Sequence, residues 1–420
     1  MPNAKQCLEP APPPLECRIP LRVILGIERL GRRLLATTMV LAAGCGTNPD
    51  EVAGPGQIEG PAMAPRPGFY TLVIDQVIDL GKAYPTRASF AHDINASGNV
   101  VGFVATLPYP QAMRWNGSSG PGIPVDWPSH QQRSSKAWGI NDAGTIVGEF
   151  QQLGHARRPF RWTPSGGIQD LGVVGTTLPG TFGPSIGAIA RGISNNGLIT
   201  GTSWLNNGGL VNIAYRSIAG GGFISVPPVS ACQPYLGGRG NAINDLGQVA
   251  AYLLCLPPYG AARATGTGVS AIGDFIDNTT CCGEAFGINQ AGTVVGTTEW
   301  QPAPNQGPRR KHAFRWGPST GLVDLHPPGE TTDDSEAHDI NSQDLVVGTR
   351  RSANGRSWAF VQGGGLPMTR LPQLGSARNG PIGGIANAIN DNNTVVGASY
   401  TAAGVWHATL WKFHIVFTPT

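Results

Sequence analysis

Seven times along this chain an isoleucine is followed eight residues later by Gly or Ala, with a tight turn between them. The isoleucines are Ile94, Ile140, Ile193, Ile243, Ile288, Ile340 and Ile389, and the small residues are Gly102, Gly148, Gly201, Ala251, Gly296, Gly348 and Gly397. The spacing has no insertion in any copy, and the copies recur every 45 to 53 residues. Repeats of this length, made of short apolar runs and turns, are typical of propellers and solenoids.

The second copy shows how one repeat begins. Residues 137–140 read as a strand and residues 145–148 as its return strand, joined by a four-residue turn. The last turn position is Gly in five copies and Asp344 or Asn393 in the others, which are the residues that best tolerate a positive φ. The first turn position is Asn in six copies and Ser194 in one. Such side chains bond nearby backbone N–H groups, so the pattern indicates turn chemistry rather than catalysis.

Two further strands follow in each repeat. Residues 159–162 form the third strand of the second copy, and residues 168–171 form the fourth, matched by residues 322–325 in the fifth copy. Four-stranded sheets arranged radially make a β-propeller, because neighbouring sheets bury the faces that one sheet leaves open. The sequence therefore predicts an all-β, seven-bladed β-propeller of four-stranded blades.

Ring closure is predicted from the N-terminal end of the repeat region. Residues 77–81 match a fourth strand, yet they precede the first isoleucine copy. We expect this N-terminal strand to complete the seventh blade and close the ring. Residues 413–417 compete for the same position, and their pairing there would leave the N-terminal strand as an extra edge.

The sequence pattern of the repeat resembles that of a known family. Gly-Ile-Asn, a turn Gly, Val-Val-Gly, His-Ala-Phe-Arg-Trp and Asp-Leu succeed one another, and the triplet His312-Ala313-Phe314 is complete in the fifth copy. Over about residues 68 to 412 the chain resembles the HAF-repeat family of bacterial extracellular proteins. The resemblance implies export and a surface location, and it transfers no functional residue.

The first 45 residues have the character of a secretory signal. Three arginines precede an apolar run over residues 34–43, which is too short for a permanent membrane span. Residues 41–45 resemble a bacterial lipobox, although Ala42 departs from the usual larger aliphatic residue. This resemblance implies that Cys45 is lipidated, and a plain secretory signal is the alternative. Residues 46–67 are rich in Gly, Pro and Ala and read as a tether, which leaves residues 68–420 for the propeller.

Topology sorts the connections between strands onto two faces. The Asn-led turns and the turns between third and fourth strands share one end of the blades, here named the turn face. The loops between second and third strands and the links between blades share the other end, named the loop face. The loop face has long, varied connections over residues 173–189, 202–213 and 297–312, and variable loops on a rigid scaffold usually carry binding.

Four cysteines of the repeat region fall in loop-face connections: Cys232, Cys255, Cys281 and Cys282. Export would oxidise them, and four cysteines allow three pairings. We expect adjacent Cys281 and Cys282 to pair outward rather than with each other. Of the two pairings that remain, we expect Cys232–Cys281 with Cys255–Cys282. A redox or metal site is the alternative, but no C-x-x-C spacing accompanies these residues.

The residue two before each repeat isoleucine is expected near the loop face, beside the propeller axis. These candidate ligand-binding residues, named the axial ring, are His92, Trp138, Arg191, Asn241, Phe286, His338 and Asn387. Seven varied polar and aromatic groups around an axis could form a binding mouth. Ordinary packing between blades is the alternative for the same positions.

Neither a metal nor a cofactor is predicted. Asp93 and Asn95 resemble the opening of a calcium loop, but the closing Glu is missing. Residues 183–187 match a nucleophile-elbow pattern by spacing, without the strand-to-helix context that the pattern needs. The net charge of +3 does not indicate a nucleic-acid partner.

These observations predict a surface module rather than a known catalyst. We expect an exported, lipid-anchored binding or scaffold protein of the outer membrane or cell surface, contacting the membrane through its lipid only. Without lipidation it would be periplasmic or extracellular. Its partner would be a surface protein or glycan met on the loop face. The alternative is a polysaccharide hydrolase or lyase on a propeller scaffold, which would need clustered carboxylates among Asp274, Asp277, Glu284, Glu299, Asp333, Asp334 and Glu336.

Overall fold

The regular secondary structure of the described residues consists of β-strands. The computed structural model describes residues 68–118, 120–125, 133–172, 185–206, 210–218, 222–226, 237–254, 260–265, 268–276, 283–302, 307–375 and 383–419. The described residues form seven four-stranded antiparallel sheets, which are the blades of a seven-bladed β-propeller. In this part of the chain we find no helix with the length and apolar character needed to cross a bilayer.

Blades 1 to 6 each use four consecutive strands, of which the first is innermost. Blade 1 consists of β2 (Ser89–Ile94), β3 (Val100–Val104), β4 (Gln111–Trp115) and β5 (Ile123–Pro124). Blade 2 consists of β6 (Arg133–Ile140), β7 (Ile146–Gln152), β8 (Arg158–Thr163) and β9 (Gly167–Asp170). Blade 3 consists of β10 (Ser185–Ile193), β11 (Ile199–Asn206), β12 (Leu210–Ser217) and β13 (Phe223–Ser225).

Blade 4 consists of β14 (Gly238–Ile243), β15 (Val249–Leu253), β16 (Gly260–Ala264) and β17 (Val269–Ala271). Blade 5 consists of β18 (Glu284–Ile288), β19 (Val294–Trp300), β20 (Arg310–Gly317) and β21 (Gly321–Asp324). Blade 6 consists of β22 (Asp334–Ile340), β23 (Val346–Arg351), β24 (Ser357–Gly363) and β25 (Leu366–Arg370).

Blade 7 is built from both ends of the repeat region. Its order is β26 (Gly384–Ile389), β27 (Thr394–Tyr400), β28 (Trp406–Pro419) and then β1 (Gly68–Asp79). β1 pairs with β28 from Gly68 opposite Pro419 to Asp79 opposite Thr409. The predicted closure of the ring by an N-terminal strand is therefore confirmed. Residues 413–417 continue the third strand instead of replacing the fourth.

The core lies between the blades rather than inside any one of them. Val101 and Ala112 of blade 1 pack with Ile140 and Phe160 of blade 2, and the pattern repeats around the ring. The closing interface is equally apolar, because Leu410 of blade 7 packs in a cluster with residues of blade 1. Each sheet therefore depends on its neighbours for burial, as repeat proteins do.

The small residue eight positions after each isoleucine makes room for the third strand. Gly148 pairs with Phe160, and a Cβ placed on Gly148 would lie 2.1 Å from the carbonyl oxygen of Lys136 and 2.6 Å from the Phe160 ring. In blade 4 the small pair is exchanged, with Gly240 opposite Ala251 where blade 2 has Ala137 opposite Gly148. At this position the space between the first and second strands of a blade accommodates a Cβ on one of the two paired residues but not on both.

The turn at the end of each inner strand has the predicted backbone. Its last residue has a positive φ, including Asp344 at 61° and Asn393 at 54° in the two copies without Gly. The side-chain oxygen of the first turn residue accepts the N–H of the fourth residue after it, as Asn141 does from Thr145 at 2.9 Å. Ser194 does the same through its hydroxyl oxygen, which accepts from Leu198 at 3.0 Å.

The same first turn residues also join the blades, which the sequence did not predict. Each buried asparagine donates from Nδ2 to the carbonyl oxygen of the equivalent residue in the next blade, at 3.0 to 3.2 Å. This asparagine ring comprises Asn95, Asn141, Ser194, Asn244, Asn289, Asn341 and Asn390. The bond from Asn390 to Asn95 closes it at 3.0 Å. Ser194 has no amide to donate, so the link from blade 3 to blade 4 lacks this bond.

The histidine of the His-Ala-Phe triplet ties the third strand to the fourth. Nδ1 of His312 lies 2.9 Å from a carboxylate oxygen of Asp324, and His407 contacts Asp79 at the same distance. His312 is 2% exposed and His407 is 3% exposed. The histidine of the third strand and the aspartate of the fourth strand are therefore structural partners within these two blades.

Candidate functional site

Every residue of the axial ring is the extra residue of a β-bulge. The register of each inner strand slips at this position, for example between Ala137 and Gly139, so that Trp138 has no cross-strand partner. The same slip occurs in all seven blades. A bulge re-aims the side chain that it carries. All seven side chains line one axial cavity of about 300 Å³.

The cavity borders the turn face, not the loop face. Its lining extends along each inner strand from the bulge residue to the turn, where Asp142, Asn195 and Asp391 frame it. The axial ring was expected near the loop face, and the structure differs on this point. Each bulge residue lies three positions before its turn, so it is only about 10 Å from the turn face at the usual rise along a strand.

Four residues of the axial ring bind the neighbouring blade. His92, Asn241, His338 and Asn387 each donate to a main-chain carbonyl oxygen of the next inner strand, at 2.7 to 2.9 Å. The acceptors precede the bulges, where the sheet ladder is interrupted. These four side chains therefore serve the packing between blades, which was the alternative for the whole set.

Trp138, Arg191 and Phe286 have a different environment. Trp138 stacks on His92 with 4.1 Å between ring centroids, and the Arg191 guanidinium lies 5.3 Å from the indole centroid. Phe286 meets the His338 ring edge-on at 5.8 Å. Within the described residues, Nε1 of Trp138 and Nε of Arg191 are buried without a hydrogen-bond partner. Trp138 and Arg191 are therefore the members of the axial ring with polar atoms that the described residues leave unsatisfied.

Two half-buried carboxylates, those of Asp93 and Asp339, follow the bulge in blades 1 and 6. Asp93 accepts the N–H of Ile94 and of Ile140, each at 2.8 Å, and Asp339 accepts the N–H of Ile389 at 2.9 Å. Burial raises the pKa of Asp93 to about 8 and that of Asp339 to about 6, against the opposing effect of these hydrogen bonds. The carboxylate expected at a calcium loop is thus bound to main-chain donors of two blades.

The raised pKa of Asp93 predicts a pH-dependent stability. The folded state retains a proton that the unfolded state loses from about pH 3.8, so the free energy of unfolding falls as the pH rises towards 8. Asp93→Gly introduces the residue found at the equivalent position in blade 2, Gly139, and removes this effect. The stability of Asp93→Gly relative to wild type should therefore increase between about pH 4 and pH 8, measured by urea unfolding.

Asp339→Gly provides the internal comparison for this prediction. Its stability relative to wild type should stop changing near pH 6, because the pKa of Asp339 is raised less. A stability difference between wild type and Asp93→Gly that stays constant over the whole pH range would contradict the prediction.

An aromatic arc lies on the loop-face side of the axis, where blades 7, 1 and 2 meet. Tyr400 ends the second strand of blade 7 and Trp406 begins the third, with ring centroids 4.2 Å apart. Trp406 is 6.0 Å from Phe90, Phe90 is 5.2 Å from Phe103, and Phe103 is 5.4 Å from His92. The arc thus comprises Tyr400, Trp406, Phe90, Phe103, His92 and Trp138, all of them half-buried.

Four members of this arc were not predicted from the sequence. Phe90 lies two residues before the axial-ring position, and aligning that position across the repeats would also have revealed Lys136. Phe103, Tyr400 and Trp406 gave no comparable signal, because they join the arc through packing between blades from opposite ends of the chain.

Charged groups on the loop-face side are mostly paired. Arg239 binds Glu284 at 2.9 Å, and Glu284 also accepts from Asn241 at 3.0 Å. Glu149 pairs with Arg157 at 3.4 Å. His338, whose Nε2 lies 3.6 Å from a carboxylate oxygen of Glu336, holds the pKa of that carboxyl group below its usual value.

The expected long loops are partly strands. Residues 202–213 are taken up by β11 and β12, and only residues 207–209 separate these two strands. β19 and β20 likewise extend into residues 297–312. These corrections follow from apolar residues such as Trp204 and Leu205, which prolong the strand pairing beyond the repeat. Residues 173–184 lie outside the described part of the chain.

Several other predicted residues fall outside the described ranges. They are Cys45, Cys232, Cys255, Cys281, Cys282 and Asp277, together with the signal and tether over residues 1–67. Disulfide pairing and lipidation therefore stay predictions. Among the residues that the structure describes, no group of three or more His, Cys, Asp or Glu side chains is placed to hold a metal ion.

Comparisons with known proteins identify similar folds only. No family model matches the chain, and no curated protein matches it in sequence. A prolyl endopeptidase structure is similar at 10% identity and a TM-score of 0.46 over 77% of this chain, which spans about half (49%) of that one. The polysaccharide lyase Uly1 matches at 12% identity and 0.40, covering 84% of this chain and 91% of the lyase. A lectin from Aleuria aurantia matches at 10% identity and 0.34, covering 68% and 95% respectively.

Proposed function

We propose that the protein is a binding module that recognises a glycan through the aromatic arc on its loop face. The arc is the observation that carries this proposal. Its rings are half-buried, so each is held by packing while part of its surface stays accessible. Binding sites commonly combine aromatic side chains with a few polar groups. The apolar C–H faces of sugar rings stack well on such surfaces.

The proposed location of the protein is the cell surface. Export, and anchoring by a lipid on Cys45, are part of it, and they are supported by the basic, apolar and lipobox-like order of residues 29–45. A stable anchor requires more than one acyl chain, as in lipoproteins with a modified N-terminal cysteine. A tether over residues 46–67 would leave the propeller free to meet a polymer.

The carboxylates that an enzyme would need have other partners. A polysaccharide-cleaving site with paired carboxyl groups requires one of them to act as an acid and the other as a base or nucleophile. The described candidates are instead engaged with protein groups: Asp274 with the N–H of Ile276, Glu284 with Arg239, Glu299 with Arg309, Asp333 with Arg350, Asp334 with the N–H of Lys311, and Glu336 with His338. These contacts favour binding over catalysis.

Trp406→Ala tests the proposal directly. Removing a central stacking ring should weaken glycan binding by about 2 kcal/mol, or about thirtyfold, measured by calorimetry with the polysaccharide selected from a glycan array. Trp406→Phe keeps a ring and should give an intermediate loss. The control is Phe69→Ala, since Phe69 is 55% exposed and lies at the turn-face end of β1, away from the arc.

The binding and unfolding of these variants distinguish a role of the arc in binding from an effect on folding. Loss of binding in Trp406→Ala, with an unchanged unfolding midpoint and unchanged binding in Phe69→Ala, supports the arc as the binding surface. Unaltered binding in both Trp406→Ala and Phe90→Ala would exclude the arc. An array with no bound glycan would exclude the function itself.

A further inference from the structure

Arg191 is a cation in the axial cavity for which the described residues provide no directly bound anion. Its guanidinium lies against Trp138, and both residues line the axial cavity. Among the described residues it forms no hydrogen bond and no ion pair, and its Nε is buried. An uncompensated charge in such a position is unfavourable, so it requires an explanation.

The nearest acidic groups are committed to other residues. Burial lowers the pKa of Arg191, while the charges of Glu284 and Glu149 oppose that effect. Glu284 binds Arg239 at 2.9 Å, and Glu149 binds Arg157 at 3.4 Å. An arginine stays protonated even so, because its intrinsic pKa is far above neutrality. The positive charge on Arg191 therefore persists without a direct partner.

The chain segments around this blade carry no acidic residue either. The undescribed stretches that flank or interrupt blade 3 are residues 173–184, 207–209, 219–221 and 227–236, and none of them contains Asp or Glu. An anion for Arg191 is therefore not encoded in these connections.

Lys136 adds a second positive charge beside the same indole. Its Nζ lies 4.7 Å from the Phe103 ring centroid and 5.7 Å from that of Trp138. Lys136 forms no ion pair with any carboxylate in the described ranges, since its cross-strand neighbour Glu149 binds Arg157. The indole N–H of Trp138 is a third donor here, buried and without a described partner. Two cations and one N–H donor thus surround the inner end of the aromatic arc.

We propose that the glycan bound by the arc is acidic, and that Arg191, Lys136 and the Trp138 N–H bind its carboxylate or sulfate oxygens. This inference rests on the glycan-binding function proposed above. The planar fork of a guanidinium matches the oxygen spacing of carboxylate and similar anions. Sugar rings stacked along the arc lead towards Trp138, and the anionic group of the innermost sugar neutralises the cations there.

The test compares polymers that differ in charge, using the full chain. Calorimetry would measure binding to a polyuronate, a sulfated galactan and a neutral glucan. Acidic polymers should bind and the neutral one should bind at least tenfold more weakly, and added salt should reduce the difference. Whichever acidic polymer binds more tightly identifies carboxylate or sulfate as the group recognised.

Arg191→Gln and Lys136→Gln test the residues, with Arg263→Gln as the matched control. Arg263 stacks on Trp316 at 4.9 Å between blades 4 and 5, so it has the same kind of ring contact but does not line the axial cavity. Arg191→Gln should weaken acidic-glycan binding about tenfold to a hundredfold, and Lys136→Gln should weaken it less. Arg263→Gln should leave affinity unchanged.

Thermal unfolding without glycan distinguishes a binding role of Arg191 from a purely structural one. The two roles predict opposite changes in the unfolding midpoint of Arg191→Gln. Arg191→Gln removes a half-buried charge that has no partner among the described residues, so its midpoint should equal or exceed that of wild type. Arg263→Gln loses a stacked contact and should unfold at a lower temperature. A lower midpoint in Arg191→Gln with intact affinity would show that Arg191 only supports the fold, and would overturn the inference.

The other outcomes distinguish this inference from the proposed function. Equal binding of neutral and acidic polymers that still depends on Trp406 would overturn the acidic specificity and leave glycan binding in place. Failure of every polysaccharide to bind would overturn both proposals.

Discussion

A chain that begins after β1 is expected to lose the folded state. β1 provides the fourth strand of blade 7 and pairs with β28 along Gly68–Asp79. Its removal would expose the edge of β28 and uncover apolar residues of the last blade, including the buried Phe413. We expect a loss of more than about 5 kcal/mol, which is comparable with the whole stability of a typical domain.

Two truncations measure this effect. A chain starting at residue 66 keeps β1 and should show a cooperative unfolding transition with the wild-type midpoint. A chain starting at residue 81 lacks β1 and should be aggregated or show no cooperative transition in circular dichroism. Equal midpoints for the two chains would mean that the ring does not need its N-terminal strand.

The asparagine ring predicts the second large effect, at the closing interface. Asn390 accepts the N–H of Thr394 at 3.1 Å within its turn, and it donates to the Asn95 carbonyl oxygen across the interface. Asn390→Ala leaves the N–H of the buried Thr394 unsatisfied and removes one of the two hydrogen bonds accepted by the Asn95 carbonyl oxygen, which keeps the bond from the Gly98 N–H. We expect a loss of about 2 to 4 kcal/mol in the free energy of unfolding, measured by urea denaturation.

The protein supplies its own control for this prediction. Ser194 keeps the acceptor within the turn and has no amide for the ring, so Asn390→Ser should lose only about half as much stability as Asn390→Ala. The reverse substitution, Ser194→Asn, completes the ring and should add about 1 kcal/mol. Equal losses in the Ala and Ser variants would show that the bond between blades contributes nothing.

Much of the architecture could be predicted because it depends on local chemistry. Each repeat encodes the eight-residue spacing, the turn residues and the sequence motifs of the strands. The number of blades and the closing strand were therefore recognisable from the sequence. The wrong expectation about residues 202–213 has a specific cause. Conserved spacing marks where the repeat ends, but β11 and β12 continue pairing beyond it.

The candidate site was only partly predictable. The axial ring was identified by its position before each isoleucine, but its cavity borders the turn face because every inner strand has a bulge there. Four of its members turned out to bind the next blade, and Arg191 and Trp138 did not. Whether a side chain bonds its neighbour or stays unsatisfied depends on distances between blades, which a repeat read in isolation does not contain.

The repeat, the four strands of each blade and the chemistry of the turns can be inferred from the amino-acid sequence, because they follow from residues close together in the chain. Which residues meet at the axis depends on how the blades pack in three dimensions. Closing the ring places Phe90 beside Trp406 and Asn95 beside Asn390, from opposite ends of the chain. The aromatic arc, the asparagine ring and the unpaired Arg191 all arise from that closure, since each depends on how one blade packs against the next.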